Sequence, residues 1–292
     1  MACTDSCNGL LYNRMKQWVH IPPTIQKQEK LCEWGGVKYL LQHMLDESMK
    51  LSVYMPELSS CDDVNKDVET AVLFKGMASV DAQVISGYHI TLDVNVRLLR
   101  RLPDQQQAFW LRELSSIRCK IMTSSLRKLS HRLIDERKDV EEIVAMKSCS
   151  SQTYFVKLQE SGMKIIFPMR FPSAQDAAIG RHFLQGFVDA GKQATLKRAP
   201  SCSYDQEVPC ELQGLDLALI ENVNGGYINM FLTVRHLSGP QMNEILWSVC
   251  SFYYFVSRRL KACKAKLQDT LSSQFTYISS TLPDGPSEWL QV

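Results

Sequence analysis

Apolar and polar side chains alternate along Gly87-Tyr88-His89-Ile90-Thr91-Leu92-Asp93-Val94-Asn95-Val96, with Tyr88, Ile90, Leu92, Val94 and Val96 on one side and His89, Thr91, Asp93 and Asn95 on the other. A period of two predicts a strand. Val37 to Leu45 and Met49 to Met55 are β-like runs separated by Asp46-Glu47-Ser48 and closed by Pro56, which predicts a hairpin. The acidic stretch 57–70 reads as a loop. Further strands are predicted at Glu142 to Lys147, Thr153 to Leu158, Met163 to Phe171, and from Gly226 to His236 after the turn Asn224-Gly225-Gly226. Apolar residues three and four apart predict helices instead. One opens at Pro103 and runs to about Leu133, with Phe109, Leu111, Leu114, Ile117, Ile121 and Leu129 inward. A second covers 173–193, with Ala178, Phe183, Leu184 and Phe187 inward. Residues 1–30, broken by Pro22-Pro23, predict a loosely held lead-in, and 197–216 an irregular stretch.

After Ser238-Gly239-Pro240 the chain meets no Gly or Pro until Pro283, which predicts one long helix over about 240–280. At 1.5 Å per residue it spans roughly 60 Å. Met242, Leu246, Val249, Tyr253, Val256, Leu260, Cys263 and Leu267 alternate by four and three, a seam of coiled-coil period. Ile245, Phe252, Phe255, Leu271, Phe275 and Ile278 widen it toward a second face. A helix apolar on two faces needs two surfaces to pack against, and its own domain supplies only one at the far end. Arg258, Arg259, Lys261, Lys264 and Lys266 stand against Glu244 and Asp269, a net +3 on this helix. That charge fits a solvated face or a basic stripe shown to an acidic surface; periodicity does not separate the two.

The element order, strands then helix, occurs twice, over 31–133 and 140–292 with a charged connector at 134–139. The expected class is α+β: two similar sheet-plus-helix domains with mainly antiparallel sheets and a long C-terminal helix. A length of 292 residues, 45% hydrophobic and 22% charged, suits two globular cores. The net charge of +2 points to neither nucleic acid nor membrane as partner. The start carries no signal-peptide pattern, so the cytoplasm is expected. Ten scattered cysteines without a Cys-x-x-Cys pair predict free thiols and no metal. Phosphate-binding glycine loops and nucleophile elbows are missing, and no two of the six histidines sit at His-x-x-x-His spacing. Neighbouring acids such as Asp62-Asp63 point apart. Catalysis and a cofactor are therefore not expected.

The second half carries a resemblance. Lys164-Ile165-Ile166-Phe167-Pro168-Met169-Arg170-Phe171, Phe183-Leu184-Gln185-Gly186-Phe187-Val188-Asp189-Ala190, Ala199-Pro200-Ser201-Cys202-Ser203, Gly226-Tyr227-Ile228-Asn229-Met230-Phe231, Arg235-His236 and the final helix resemble subunit 2, the 34 kDa subunit, of the actin-related protein 2/3 complex, in its plant-like form. Thinner similarity runs upstream through Trp34-Gly35-Gly36-Val37-Lys38-Tyr39, Gly87-Tyr88 and Leu114-Ser115-Ser116-Ile117-Arg118. The resemblance implies a non-catalytic cytoskeletal scaffold for actin filament nucleation and branching. Its partners would be the other subunits, chiefly subunit 4, and the mother actin filament. The final helix would pair with that of subunit 4 through Leu246, Val249, Tyr253, Val256, Leu260, Cys263 and Leu267, and Arg258, Arg259, Lys261, Lys264 and Lys266 are the candidate actin contacts. Two other readings stand beside it: a diverged regulatory paralogue that keeps the pairing but binds actin poorly, and a small-molecule enzyme.

Overall fold

The computed structural model describes residues 5–21, 24–45, 47–56, 76–81, 83–136, 143–149, 152–192, 199–215 and 221–281. The expected loop at 57–70 lies outside them.

The predicted hairpin forms. Strands β1 (Lys27–Glu33), β2 (Val37–His43), β3 (Ser48–Tyr54), β4 (Ala78–Val80) and β5 (Ile90–Asn95) make an antiparallel sheet in the order β1-β2-β3-β5-β4. The expected strand at 87–96 is shorter, starting at Ile90 and ending at Asn95, which caps a helix by accepting from the Leu98 N–H at 2.9 Å. Thr91, expected on the polar side, is fully buried, and its hydroxyl meets that of Ser52 at 2.9 Å. Leu40, opposite Ser52 in the register, is buried as well, so alternation overstated the polarity of this face.

The lead-in is not loose. Helix α1 (Gly9–Val19) buries Leu11, Met15, Trp18 and Val19, spaced at i, i+4, i+7 and i+8, in the first core. Asn8 caps it by accepting from the Leu11 N–H at 2.9 Å. Beyond β5 come α2 (Val96–Arg101), α3 (Asp104–Ser115) and α4 (Ile117–Glu136). The expected single helix at 103–133 is thus two segments meeting at Ser116, whose hydroxyl donates to the Arg112 carbonyl at 2.8 Å. Phe109, expected inward, is 54% exposed.

The second half repeats this plan. Strands β6 (Ile143–Cys149), β7 (Gln152–Gln159), β8 (Gly162–Pro168), β9 (Ser201–Asp205) and β10 (Tyr227–Thr233) pair antiparallel in the order β6-β7-β8-β10-β9, the same order as the first sheet. The stretch expected to be irregular supplies β9, an edge strand. Between β8 and β9 lies α5 (Ala174–Gly191), which buries Ala177 rather than Ala178, together with Leu184 and Val188. After β10 follow α6 (Val234–Ser238), α7 (Met242–Cys250) and α8 (Phe252–Thr281). The expected continuous helix has a joint at Ser251, whose hydroxyl donates to the Trp247 carbonyl at 2.7 Å. Backbone bonds Ser251 N to Trp247 O and Phe255 N to Ser251 O, both 2.9 Å, run through the joint. Short helix, helix, serine joint, long helix: the sequence of elements after β5 and after β10 is the same.

Ile117 and Ile121 at the head of α4 join the first core, while Cys119, Leu126 and Leu133 join the second. Arg127 adds a bond from Nη2 to Asn243 Oδ1 at 2.9 Å. One helix therefore serves two cores.

Candidate interaction surface on the C-terminal helix

The root of α8 is held by rings. Phe252 packs on Phe167 (4.8 Å between centroids) and Phe187 (5.7 Å), and Phe255 lies 6.1 Å from both Phe183 and Phe187. Tyr253 Oη reaches the carbonyls of Thr153 and Pro168, each at 2.9 Å, and ties the helix to the ends of β7 and β8. The equivalent position after the first serine joint is Arg118, which also reaches back to strand ends. Its guanidinium, 2% exposed, pairs with Glu33 at 3.2 Å and donates to the Trp34 carbonyl at 3.0 Å. It also stacks 4.2 Å from the Trp34 ring and 5.2 Å from Tyr254. Glu33 in turn accepts from Tyr39 Oη at 2.5 Å, and burial together with this carboxylate raises the phenol pKa. Gly35, at φ +81°, makes room for Tyr254 and Arg118: a Cβ there would run into both.

The seam residues divide sharply along the helix. Leu246, Val249, Tyr253, Val256 and Leu260 are 0 to 7% exposed, inside the chain's own fold. Cys263 is exposed and Leu267 is 52% exposed. From Lys261 onward every described side chain is exposed, including Leu271 and Tyr277 at 57 and 70%. Lys264 still reaches back to α5, and beyond it 265–281 continues as about 25 Å of helix.

The five basic residues are all exposed, but they are not equivalent. Arg259 lies over the Phe255 ring at 5.5 Å. Lys264 pairs with Asp176 at 2.6 Å on the first turn of α5. That lysine, and then the Ser173 hydroxyl, hold the Asp176 carboxyl below the usual carboxylate range. Arg258, Lys261 and Lys266 project outward. Periodicity missed the division between buried and exposed seam, and it missed the Arg118 cluster, whose only signal was a charge on an otherwise apolar helix stripe.

Burial pushes the Cys119 and Cys250 thiols up to about 12, which leaves them protonated and inert. Among the described residues no three His, Cys, Asp or Glu converge on a metal-sized site, and no described helix is long and apolar enough to cross a membrane.

Residues 51–280, from β3 to the end of α8, match the family described as "Arp2/3 complex, 34 kD subunit p34-Arc". This chain belongs to the p34-Arc family. Among its relatives, actin-related protein 2/3 complex subunit 2A of Arabidopsis thaliana is 29% identical over 264 residues, covering 86% of this chain and 80% of the relative. Subunit 2B of the same plant is 22% identical, covering 92% and 74%. Subunit 2 of Dictyostelium discoideum is 23% identical, covering 94% and 89%. The resemblance carried by Phe167-Pro168-Met169-Arg170-Phe171 and the final helix is thus borne out. The p34-Arc match includes the exposed stretch of α8 as well as its buried root.

Proposed function

We propose that the chain is a non-catalytic, cytoskeletal scaffold subunit of an Arp2/3-type actin-nucleating complex. In this reading α8 pairs with a helix of subunit 4, and its basic face lies toward the mother filament. The observation that carries the pairing is the outer part of α8, where Leu267 and Leu271 are 52 and 57% exposed. The internal repeat supports it. The first long helix, α4, is received by a second core of the same fold, whereas its counterpart α8 leaves Leu267 and Leu271 exposed. An apolar stripe on a lone helix is poorly stable in water and is completed by a partner.

The buried residues Leu246 to Leu260 cannot test this, since changing them would unfold the root. The test is Leu267→Asp with Leu271→Asp in a chain co-expressed with subunit 4. Loss of co-purification with an unchanged melting temperature is expected. Unchanged co-purification would refute the pairing.

A further inference from the structure

An antiparallel sheet ends in strands whose outer N–H and C=O groups have no ladder to join, and such edges pair with another chain unless something blunts them. Of the four edges of the two sheets, three are blunted. β1 carries Lys27, Glu29, Lys30 and Glu33, and Lys27 and Glu29 stand opposite the buried His43 and Leu41, placing charge on the core side of the edge. β4 is only three residues long. β6 carries Lys147 and a register break between Lys147 and Cys149.

β9 is the fourth edge, and it has none of these devices. It stands where β4 stands in the first sheet, but it runs five residues, Ser201-Cys202-Ser203-Tyr204-Asp205, in unbroken register with Tyr227–Phe231. It contains no Lys, Arg or Pro, and its single charge, Asp205, is its last residue. No described strand lies beyond it.

Every second residue of β9 turns its N–H and C=O away from β10. The side chains are already set for a neighbour. On one side Cys202 and Tyr204 are half-buried against the second core, and Tyr204 Oη donates to the Gly225 carbonyl at 3.1 Å. On the other, Ser203 and Asp205 are exposed, and both accept from Asn229 Nδ2, at 3.3 and 2.5 Å. A strand laid along β9 extends the ladder without disturbing these contacts.

We propose that the free edge of β9 takes up an extended segment of a partner protein as a further strand of the second sheet. The backbone supplies the recognition. Only an extended chain presents N–H and C=O groups at the spacing of a ladder, and pairing along β9 offers about five hydrogen bonds. The segment alternates: apolar residues continue the core side beside Cys202 and Tyr204, and small polar residues lie beside Ser201 and Ser203. The site uses no residue of α8 and does not rest on the helix pairing.

The test uses the full chain and a short fluorescein-labelled peptide of alternating valine and threonine, N-methylated along one edge so that it cannot build sheets with itself. Its control is N-methylated along both edges. By fluorescence anisotropy the one-edged peptide should bind at least tenfold tighter than the control. On binding, amide exchange should slow at alternate residues of Ser201–Asp205 and stay unchanged along β1, β4 and β6. Cys202 and Ser203 point their N–H groups in opposite directions, so of Cys202→Pro and Ser203→Pro one breaks the β10 ladder and lowers the melting temperature. The other should abolish peptide binding with the melting temperature unchanged. The chain carrying Leu267→Asp and Leu271→Asp should bind the peptide as the parent does, so a failure of helix pairing leaves this result standing. No binding, equal binding of the two peptides, or protection at the other edges would overturn the proposal. A chain that dimerises by itself through β9 would also overturn it, in favour of a second copy.

Discussion

Arg118→Met is the perturbation that probes the architecture most directly. Arg118 and Glu33 are 2 and 13% exposed, and they join the end of β1 to the head of α4. Removing one partner of a buried ion pair typically costs about 3–5 kcal/mol, because the other charge stays behind unpaired. Glu33 keeps the Tyr39 hydroxyl at 2.5 Å, which places the expected loss near the lower end, about 3 kcal/mol. The rings of Trp34 and Tyr254 lose a cation, but a methionine thioether against them recovers part of that contact. With an unfolding entropy of about 2.1 cal/mol/K per residue, 292 residues give about 0.6 kcal/mol/K, so the melting temperature should fall by about 5 °C. Urea unfolding followed by tryptophan fluorescence measures the loss, with Trp34 and Trp247 both beside the guanidinium. Adding Glu33→Gln removes the stranded charge and should bring stability back to within about 1 kcal/mol of the parent. A single mutant that loses less than about 1 kcal/mol, or a double mutant no better than the single, would refute the argument.

Gly162→Ala should destabilise by about 1–3 kcal/mol in the same urea assay, since a Cβ there collides with the Leu232 carbonyl in the β8–β10 ladder; no loss would mean the strands part readily. The Asp176 carboxyl is held low by Lys264 and Ser173, so its contribution is present above the unfolded carboxylate pKa, about 3.9, and disappears as pH falls through the lower folded value. Protection from hydrogen exchange at the first turn of α5, taken relative to intrinsic exchange at each pH, should therefore fall in acid, and Asp176→Asn should remove that dependence while leaving protection already low at neutral pH; identical profiles would contradict it. Arg258→Glu with Lys266→Glu, which spares the Lys264 pair, should weaken co-sedimentation of the assembled complex with actin filaments several-fold at low salt and less at high salt. Equal sedimentation across the salt series would exclude a filament contact through this face.

What could be read from the chain followed the range of the signal. The β2–β3 hairpin and the strand at Ile90–Asn95 were legible because local alternation and a turn sufficed. Helix α1 was missed because Pro22-Pro23 drew the whole segment toward loop, although Leu11, Met15, Trp18 and Val19 already had helical spacing. The edge strand Ser201–Asp205 was missed because only Cys202 and Tyr204 are half-buried, too few apolar positions to set a period. The serine joints carry no Gly or Pro; a hydroxyl bonding back four residues bends a helix without punctuation in the sequence. The seam from Leu246 to Leu267 has one spacing throughout, and a period cannot tell a helix's own core from a partner's surface. Arg118 depends on Glu33, Trp34 and Tyr254, which are far apart in the chain, and no local pattern announces such a meeting.

The uninterrupted seam also constrains how this helix can change over evolutionary time. Leu260 is the last buried residue of the seam, and Cys263 and Leu267 follow it exposed on the same stripe. Inserting or deleting one residue between them would rotate everything beyond by about 100° relative to the root, turning the outer apolar face away from whatever meets it. An insertion of four residues overshoots a full turn by only about 40°, and lengthens the arm by about 6 Å. The segment should therefore accept exchanges of one apolar residue for another on this face, while changes in its length are restricted to near-whole turns.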